Sequence, residues 1–342
     1  MKKDRKVVVA ISGGVDSSVA AALLKKRNFE VIGVFMRLNN FSMEAEMRAK
    51  AVAKILNIPF RILDLRKDFQ KIVIKYFLDG YKKGITPNPC VICNKEIKFG
   101  LLMEKAFKME ADFVATGHYA RIKKKFTTYS LLKGKDKNKD QSYFLWKLSQ
   151  KQLKNILFPL GNYTKEKVRG IARELKLPTF NTPESQEVCF VKDNINIFLN
   201  KHIKLKKGNI VDKKGDILGK HKGLPLYTIG QRKGIGLSGG PYYVSGSDLK
   251  RNNLIVTENQ KDLLKKELTV KNINWISGKI PKLPMKAMVK IRYRSPSATA
   301  VIVKLDTRRY GLTFTKSQRA ITPGQSAVFY RGQEVLGGGI IN

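Results

Sequence analysis

The chain has 342 residues, 42% of them hydrophobic, which is enough for a sizeable core and too many for one average domain, so two or three domains are expected. Lys and Arg number 67 against 27 Asp and Glu, a net charge of +40, which excludes an ordinary metabolic-enzyme surface. It favours a polyanionic partner, with nucleic acid preferred over the general lysine bias of a Lys-rich genome. Three cysteines, Cys90, Cys93 and Cys189, are too few for a secreted disulfide framework. The apolar run Val7–Ile11 is too short for a signal peptide, and no stretch approaches the ~20 apolar residues of a membrane span, so the chain reads as cytoplasmic.

Val7–Ile11 predicts a short strand that runs into a glycine loop. Val15, Val19, Ala22 and Leu23 then recur at helical spacing until Lys25, Lys26 and Arg27 close the helix. Val31–Met36 predicts a buried strand, Met43–Leu56 an amphipathic helix ended by Asn57-Ile58-Pro59, and Phe60–Leu65 a third strand. Helices near Lys67–Lys82 and Lys95–Met109 flank a Pro-Asn-Pro loop, and Asp112–Thr116 predicts a fourth strand. Strands separated by single helices imply a parallel sheet covered on both faces, with its ligand site at the carboxyl ends of the strands. After about residue 195, short strand-like pieces punctuated by Gly, Asp and Pro take over. From about Leu268 the runs Ala287–Tyr293, Ala298–Lys304, Tyr310–Phe314, Ser326–Tyr330 and Glu334–Ile341 read as a small all-β barrel or sandwich. The expected fold is α/β: a doubly wound parallel sheet over 1–199, a small, mostly β middle domain over 200–262, and a C-terminal β-barrel over 263–342.

Ser12-Gly13-Gly14-Val15-Asp16-Ser17-Ser18 sits between the first strand and the first helix. Two glycines let backbone N–H groups turn inward as an anion nest, the three serines add hydroxyl donors, and the helix start adds its positive dipole end. Asp16 would repel phosphate, so it is expected to hold Mg²⁺ or cap the loop. No Gly-Lys-Ser/Thr follows, which excludes a Walker A loop. A tight turn with an N-cap would need less than this run provides. The segment resembles the PP-loop of ATP pyrophosphatases, a class that includes amide-forming synthetases as well as nucleic-acid thiolases. A second glycine run, Gly234–Gly239, matches a dinucleotide G-x-G-x-x-G pattern, but Gly240-Pro241 prevents a helix from starting there.

Cys90 and Cys93 form a C-x-x-C that is expected just ahead of a helix and beside Lys95 and Lys98, where a thiol gains thiolate character. Cys189 stands far off in Ser185–Val191. A small buried hydrophobe, a thioredoxin-like pair and a structural zinc site with His118, His202 or His221 are the plain readings. None of them explains the phosphate loop or the charge. Replacing a carbonyl oxygen by sulfur needs adenylation to make the oxygen leave, a persulfide as nucleophile, and a second thiol to free the sulfur.

The matching blocks then extend over nearly the whole chain: the PP-loop, Thr86–Gly100, Ala115–Arg121, Lys139–Leu145, Ser185–Val191, Tyr227–Gly236 and Arg319–Gln325. Through them the chain resembles the tRNA-specific 2-thiouridylases of bacteria and organelles. These thiolate the 2-position of the wobble uridine in tRNAs for Lys, Glu and Gln, using ATP and relayed sulfur. The resemblance implies that Ala10, Ile11, Ser12, Gly13, Gly14, Val15, Asp16, Ser17, Met36 and Gly117 hold the nucleotide with Mg²⁺. It implies that Cys93 is the nucleophilic cysteine and Cys189 the persulfide carrier. Asn88, Pro89 and Cys90 would lie beside the flipped-out base, and His118, Lys139, Asp140, Gln141, Arg292, Tyr293 and Gln325 would contact tRNA. Read without the resemblance, His118 is a hydrogen-bonded loop histidine and Arg292 a barrel surface charge.

Many members carry Asp where this chain has Cys90, so Cys90, Cys93 and Cys189 are alternative ligands for a 4Fe-4S cluster with one open iron. Arg37–Met47 is shorter than the insert common in relatives. A cysteine desulfurase or sulfur-relay protein is the expected partner and a monomer the expected state. A PP-loop amide-forming ligase is the competing enzyme class.

Overall fold

The computed structural model describes residues 5–183, 188–191 and 194–342. Five strands, β1 (Lys6–Ala10), β2 (Glu30–Arg37), β3 (Phe60–Asp64), β4 (Phe113–Ala115) and β7 (Ile156–Leu157), form a parallel sheet in the order β3-β2-β1-β4-β7. Its centre is β1, the strand richest in valine. Side chains alternate across it: Val8 and Ala10 enter one apolar cluster, Val7 and Val9 the other, and all four are buried. Helix α1 (Val15–Lys26) and α2 (Met43–Ile55) cross between the first three strands, as the helical spacing predicts. Strand order turns back between β1 and β4, which places a crevice where the glycine loop leaves β1 and Thr116–His118 leaves β4.

Two stretches depart from the expectation. Helical winding starts at Pro89, not Lys95: Pro89–Ile92 is α-helical, Cys93–Leu101 is wound as π-helix, and Leu102–Lys108 is α-helical again. Pro89 at the first turn needs no N–H partner there, so the proline loop becomes the helix start. The second departure is a hairpin, β5 (Ala120–Lys125) and β6 (Thr128–Lys133), whose short, lysine-rich strands gave no clean alternation.

The middle region holds a four-stranded sheet of β8 (Gly208–Val211), β9 (Ile217–His221), β10 (Tyr243–Asp248) and β11 (Asn253–Thr257), in the order β10-β11-β8-β9. Gly234–Gly239 falls in its irregular loops with no helix following. The C-terminal strands are β12 (Leu264–Trp275), β13 (Met285–Lys290), β14 (Ala298–Lys304), β15 (Arg309–Arg319), β16 (Ser326–Arg331) and β17 (Glu334–Ile341). They run β12-β15-β14-β13-β16-β17, and β17 pairs back to β12, so the sheet closes as a six-stranded barrel rather than a sandwich. Closure removes the open edges, apart from the stretch of β17 that pairs with β6 of the hairpin.

The catalytic-type sheet and the barrel share packing. Trp146, fully buried, lies in one apolar cluster with Val8 and Phe99 on one side and Val328 and Tyr330 on the other. Its indole N–H donates to Ser326 Oγ at 3.0 Å, while Tyr143 O–H donates to the Ser326 carbonyl at 2.9 Å. Among the described residues no helix is long and apolar enough to cross a membrane.

Candidate active site

The phosphate loop is shaped by close backbone approach. Gly13 has φ +77°, and a Cβ there would lie 2.1 Å from the Ala45 carbonyl oxygen of α2. A Cβ on Gly117 would lie 2.7 Å from the Asp16 backbone, so the turn after β4 presses on the start of α1. Gly14 is the N-cap of α1 and offers no side-chain cap, which leaves the helix N–H groups open toward the loop. Ser17 Oγ accepts from Ser12 N–H at 3.0 Å, and the Ser17 and Ser18 hydroxyls donate to the Gly14 carbonyl at 3.0 and 2.9 Å. These two hydroxyls therefore brace the loop, where the sequence suggested anion donors. Met36 lies two residues past Val34, the partner of Ala10, at the carboxyl end of β2 beside the loop.

Asp16 departs from one of the two expectations placed on it. It does not cap the loop, and its two carboxylate oxygens each lie 2.7 Å from Lys165 Nζ. Tyr119 O–H donates to Asp16 Oδ1 at 2.8 Å. Neither Lys165 nor Tyr119 stood out in the sequence. Lys165 is the first residue of a helix in a charged stretch, and only burial distinguishes it from its neighbours.

The thiols reverse the expected reactivity. Cys90 and Cys93 lie inside the helical run, not ahead of it, and Cys93 is buried. Burial pushes Cys90 up to about 11 and Cys93 up to about 12. Desolvation of the thiolate outweighs Lys98, the cation that draws all three thiols the other way. Cys189 is exposed, although enough protein crowds its sulfur for desolvation to raise it too. The three thiols lie within electrostatic reach: Cys189 raises both Cys90 and Cys93. Val188, Phe190 and Val191 plug the apolar cluster that contains Cys93, Phe69, Phe77 and Ile97, and this anchors Cys189 beside it. Residues 185–187 of the Ser185–Val191 block lie outside the described residues. Among the described residues no group of three or more His, Cys, Asp or Glu gathers to hold a metal ion. As placed, the three thiols are not gathered as the cluster alternative would need.

Beside the thiol helix, aromatic side chains gather around Asn88. Asn88 and Pro89 are buried, the Tyr76 hydroxyl meets the Asn88 backbone, and Tyr143 meets the Asn88 side chain. Tyr293 packs on Phe144 with ring centroids 4.5 Å apart and on Tyr143 at 6.0 Å. Asn94 is 3% exposed; its Nδ2 donates to the Phe144 carbonyl at 3.2 Å, while its Oδ1 is buried without a partner. Thr86, just upstream, joins all three regions. Its N–H donates to the Pro323 carbonyl at 2.9 Å, its carbonyl accepts from Gln325 Nε2 at 2.8 Å, and its hydroxyl meets that of Thr228 at 3.1 Å.

Several expected tRNA contacts have intramolecular partners. His118 is buried, bonded through Nδ1 to Thr116 Oγ1 at 2.7 Å, and held neutral well below its usual pKa by desolvation and then by Lys98. Arg292 donates to the carbonyls of Ile229 at 3.0 Å and Ala320 at 2.7 Å and to Thr322 Oγ1, so it ties the middle region to the barrel and is no free surface charge. Asp140 accepts from Gly134 N–H and from Ser142, and Gln141 Oε1 accepts from Tyr119 N–H at 3.0 Å. Lys139 is half-exposed on the same loop.

Residues 5–193 match a family model described as the tRNA methyl transferase HUP domain. Residues 196–258 match the tRNA methyl transferase PRC-barrel domain, and 265–341 the aminomethyltransferase beta-barrel domain. The chain is 48% identical over 360 residues to the tRNA-specific 2-thiouridylase MnmA 2 of Thermoanaerobacter sp. strain X514, covering 100% of this chain and 99% of the relative. It is 47% identical over 355 residues to the tRNA-specific 2-thiouridylase MnmA of Clostridium kluyveri, covering 99% of each. Among solved structures, the U34-tRNA thiolase NcsA from Methanococcus maripaludis with its 4Fe-4S cluster matches 55% of this chain and 62% of its own, at 22% identity and a TM-score of 0.38.

Proposed function

The chain belongs to the tRNA-specific 2-thiouridylase family, and on that premise we propose that it is a tRNA-uridine 2-sulfurtransferase acting on the wobble uridine. Its substrates are the tRNAs for Lys, Glu and Gln. The observation that carries this reading is the joint presence, at one end of one sheet, of the Gly13–Gly14 cradle and the Cys93–Cys189 thiols. Descriptions that speak of methyl transfer account for neither, because moving a methyl group needs no adenylation and no pair of thiols.

ATP is the co-substrate. The nest of Ser12, Gly13 and Gly14 and the open start of α1 would take the pyrophosphate portion, and the end of β2 at Met36 the adenine side. Mg²⁺ would arrive with ATP, held chiefly by phosphate oxygens and water, with Asp16 as the carboxylate in the loop. The flipped uridine would be received beside Asn88, where the partly exposed rings of Phe144 and Tyr293 offer faces for stacking.

The uridine O2 attacks the α-phosphorus and releases pyrophosphate. The terminal sulfur of a Cys189 persulfide adds to C2, and AMP leaves with the old C–O bond. Cys93 then attacks the Cys189 sulfur: a Cys93–Cys189 disulfide forms, the persulfide S–S bond breaks, and its electron pair stays on the sulfur now attached to C2. The products are 2-thiouridine, AMP and pyrophosphate, and an external dithiol reduces the disulfide. The persulfide is loaded by a cysteine desulfurase or a sulfur-relay protein, for which the exposed Cys189 is accessible. The positive charge binds the tRNA backbone largely through counterion release.

The test is nucleoside mass spectrometry of unmodified bulk tRNA incubated anaerobically with the protein, ATP, Mg²⁺, cysteine and a cysteine desulfurase. New 2-thiouridine, absent with Cys189→Ala, is expected. ATP turnover with no thionucleoside would overturn the reading in favour of an amide-forming ligase.

A further inference from the structure

The parallel strands carry a second concavity at their amino ends, opposite the end where the glycine loop leaves β1. Arg5 precedes β1, Asp112 precedes β4 and Asn155 precedes β7, and all three line a cavity of about 750 Å³. Aromatic rings form part of its wall: Phe29 and Phe113 meet edge to face at 6.3 Å, and Phe107 is 43% exposed. Cations surround them. The Arg5 guanidinium lies over the Phe29 ring at 5.0 Å and the Phe113 ring at 5.8 Å, while Arg27, Lys124 and Lys154 are exposed. Among the described residues none of these four cations has a carboxylate partner. The one acid in the described lining, Asp112, already accepts from Lys6 N–H at 2.8 Å. Exposed rings inside a charged rim mark an interaction surface, and the sign of the rim selects an acidic occupant.

Two sheet edges end in the same cavity. Among the described residues β5 pairs only with β6, and β7 only with β4. Gln150 accepts from Tyr129 N–H and donates to the Tyr129 carbonyl, both at 2.8 Å, so the Tyr129 backbone faces away from β5. Directly opposite residues of an antiparallel pair exchange both ladder bonds or neither. Lys124, opposite Tyr129, therefore turns its N–H and C=O outward, and so does Ile122 two residues before it. In β7 the Asn155 and Leu157 carbonyls accept from β4, which turns the Ile156 backbone groups to the other side. Gly161 covers only the start of the β5 edge, where its Cβ would lie 2.1 Å from the Ala120 carbonyl oxygen. Arg121, Ile122, Lys124 and Ile156 all line the cavity. An open edge of this kind is a template for an added strand.

We propose that this cavity is a docking groove for an acidic, extended segment of a partner protein, which adds as a strand to the open edge of β5. The segment's backbone supplies donors and acceptors to Ile122 and Lys124, its apolar side chains cover Phe29, Phe107 and Phe113, and its carboxylates meet Arg5, Arg27, Lys124 and Lys154. An RNA backbone suits the groove less well, because a phosphate only accepts and leaves the Ile122 and Lys124 carbonyls unmet. The groove opens at the far end of the strands from the Gly13–Gly14 loop, so a partner seated in it leaves that loop uncovered.

The probe is a short fluorescein-labelled peptide in which Glu alternates with Val and Phe, titrated with the full chain and followed by anisotropy. Its control is the same peptide N-methylated on alternate amides, which keeps the charge and side chains but removes the donors of one strand edge. The unmethylated peptide is expected to bind at least tenfold more tightly than the control, and to slow hydrogen exchange at the Ile122 and Lys124 amides. Arg27→Glu/Lys154→Glu is expected to weaken the peptide at least tenfold and tRNA by less than threefold. No binding, equal binding of the two peptides, or unchanged exchange at Ile122 and Lys124 would overturn strand addition. Peptide and tRNA affinities that fall together in the double variant, with tRNA displacing the peptide, would make the groove an RNA surface and overturn the proposal as well. The peptide comparison and the exchange measurement use the wild-type chain, so they decide even if the variant fails to fold.

Discussion

At the nucleotide end of the site, one unbroken run from Ser12 to Ser18 supplies loop, helix start and anion cradle. At the thiol end, Cys93 and Cys189 come from distant segments, and Thr86, just upstream of the thiol helix, is hydrogen-bonded to Thr228 and Gln325 of the two other regions. The nucleotide end is formed by β1 and α1, the close approach of Ala45 and Gly117, and Tyr119 and Lys165 on Asp16, all within residues 5–193. The thiol end needs the barrel and the middle region in place. On the function proposed above, ATP binding would be a property of one domain, and the sulfur chemistry would depend on contacts from all three regions.

The largest expected effect separates the two ends outright. Cys189→Ala and Cys93→Ala should each reduce 2-thiouridine formation to background while ATP binding stays within about twofold of the wild type, measured by mass spectrometry and calorimetry. Loss of ATP binding in either variant would show that the ends are not separable. Gly13→Ala makes the converse cut. A Cβ there meets the Ala45 carbonyl and forces φ +77° on an L-residue, at about 1–3 kcal/mol for the backbone alone. ATP affinity should fall at least tenfold, with tRNA affinity held.

A smaller effect ranks the thiols. Because Cys93 is pushed up to about 12, its thiolate appears only as pH climbs toward that value. Its alkylation by iodoacetamide should therefore be far slower than that of the exposed Cys189 near pH 7 and rise about tenfold per pH unit through 8 to 10. Mass mapping of alkylated peptides reads both rates. A Cys93 that reacts at pH 7 as fast as Cys189 would contradict its burial.

The same contrast explains what was legible in the sequence. The first three strands, their helices and the PP-loop could be read because periodicity and glycine spacing are local. Closure of the barrel and the docking of the hairpin Ala120–Lys133 on β17 could not, since both depend on pairing between remote strands. The thiol shifts were misread for a related reason. Helix position and Lys98 are visible in a line of letters, but the desolvation that outweighs them comes from Phe69, Phe77 and Phe190 folding over the helix. Lys165 left no local trace, because its partner Asp16 lies 149 residues away.

The smallest expected effect concerns Arg292, which the resemblance places on tRNA and the structure places between Ile229, Ala320 and Thr322. The two roles predict different dependences on salt. An arginine that neutralises a phosphate contributes close to one unit to the slope of log affinity against log salt, so its loss flattens that slope. An arginine that ties the middle region to the barrel contributes buried, charge-assisted hydrogen bonds, about 1–3 kcal/mol each when broken. Arg292→Met keeps much of the side-chain volume and removes both the charge and the donors. The geometry predicts a lower melting temperature and weaker tRNA binding at every salt concentration, with the slope unchanged within error. A slope reduced by about one, with melting unaffected, would move Arg292 from the interior to the tRNA surface. The barrel would then be held on the middle region by Thr86, Thr228 and Gln325 without it.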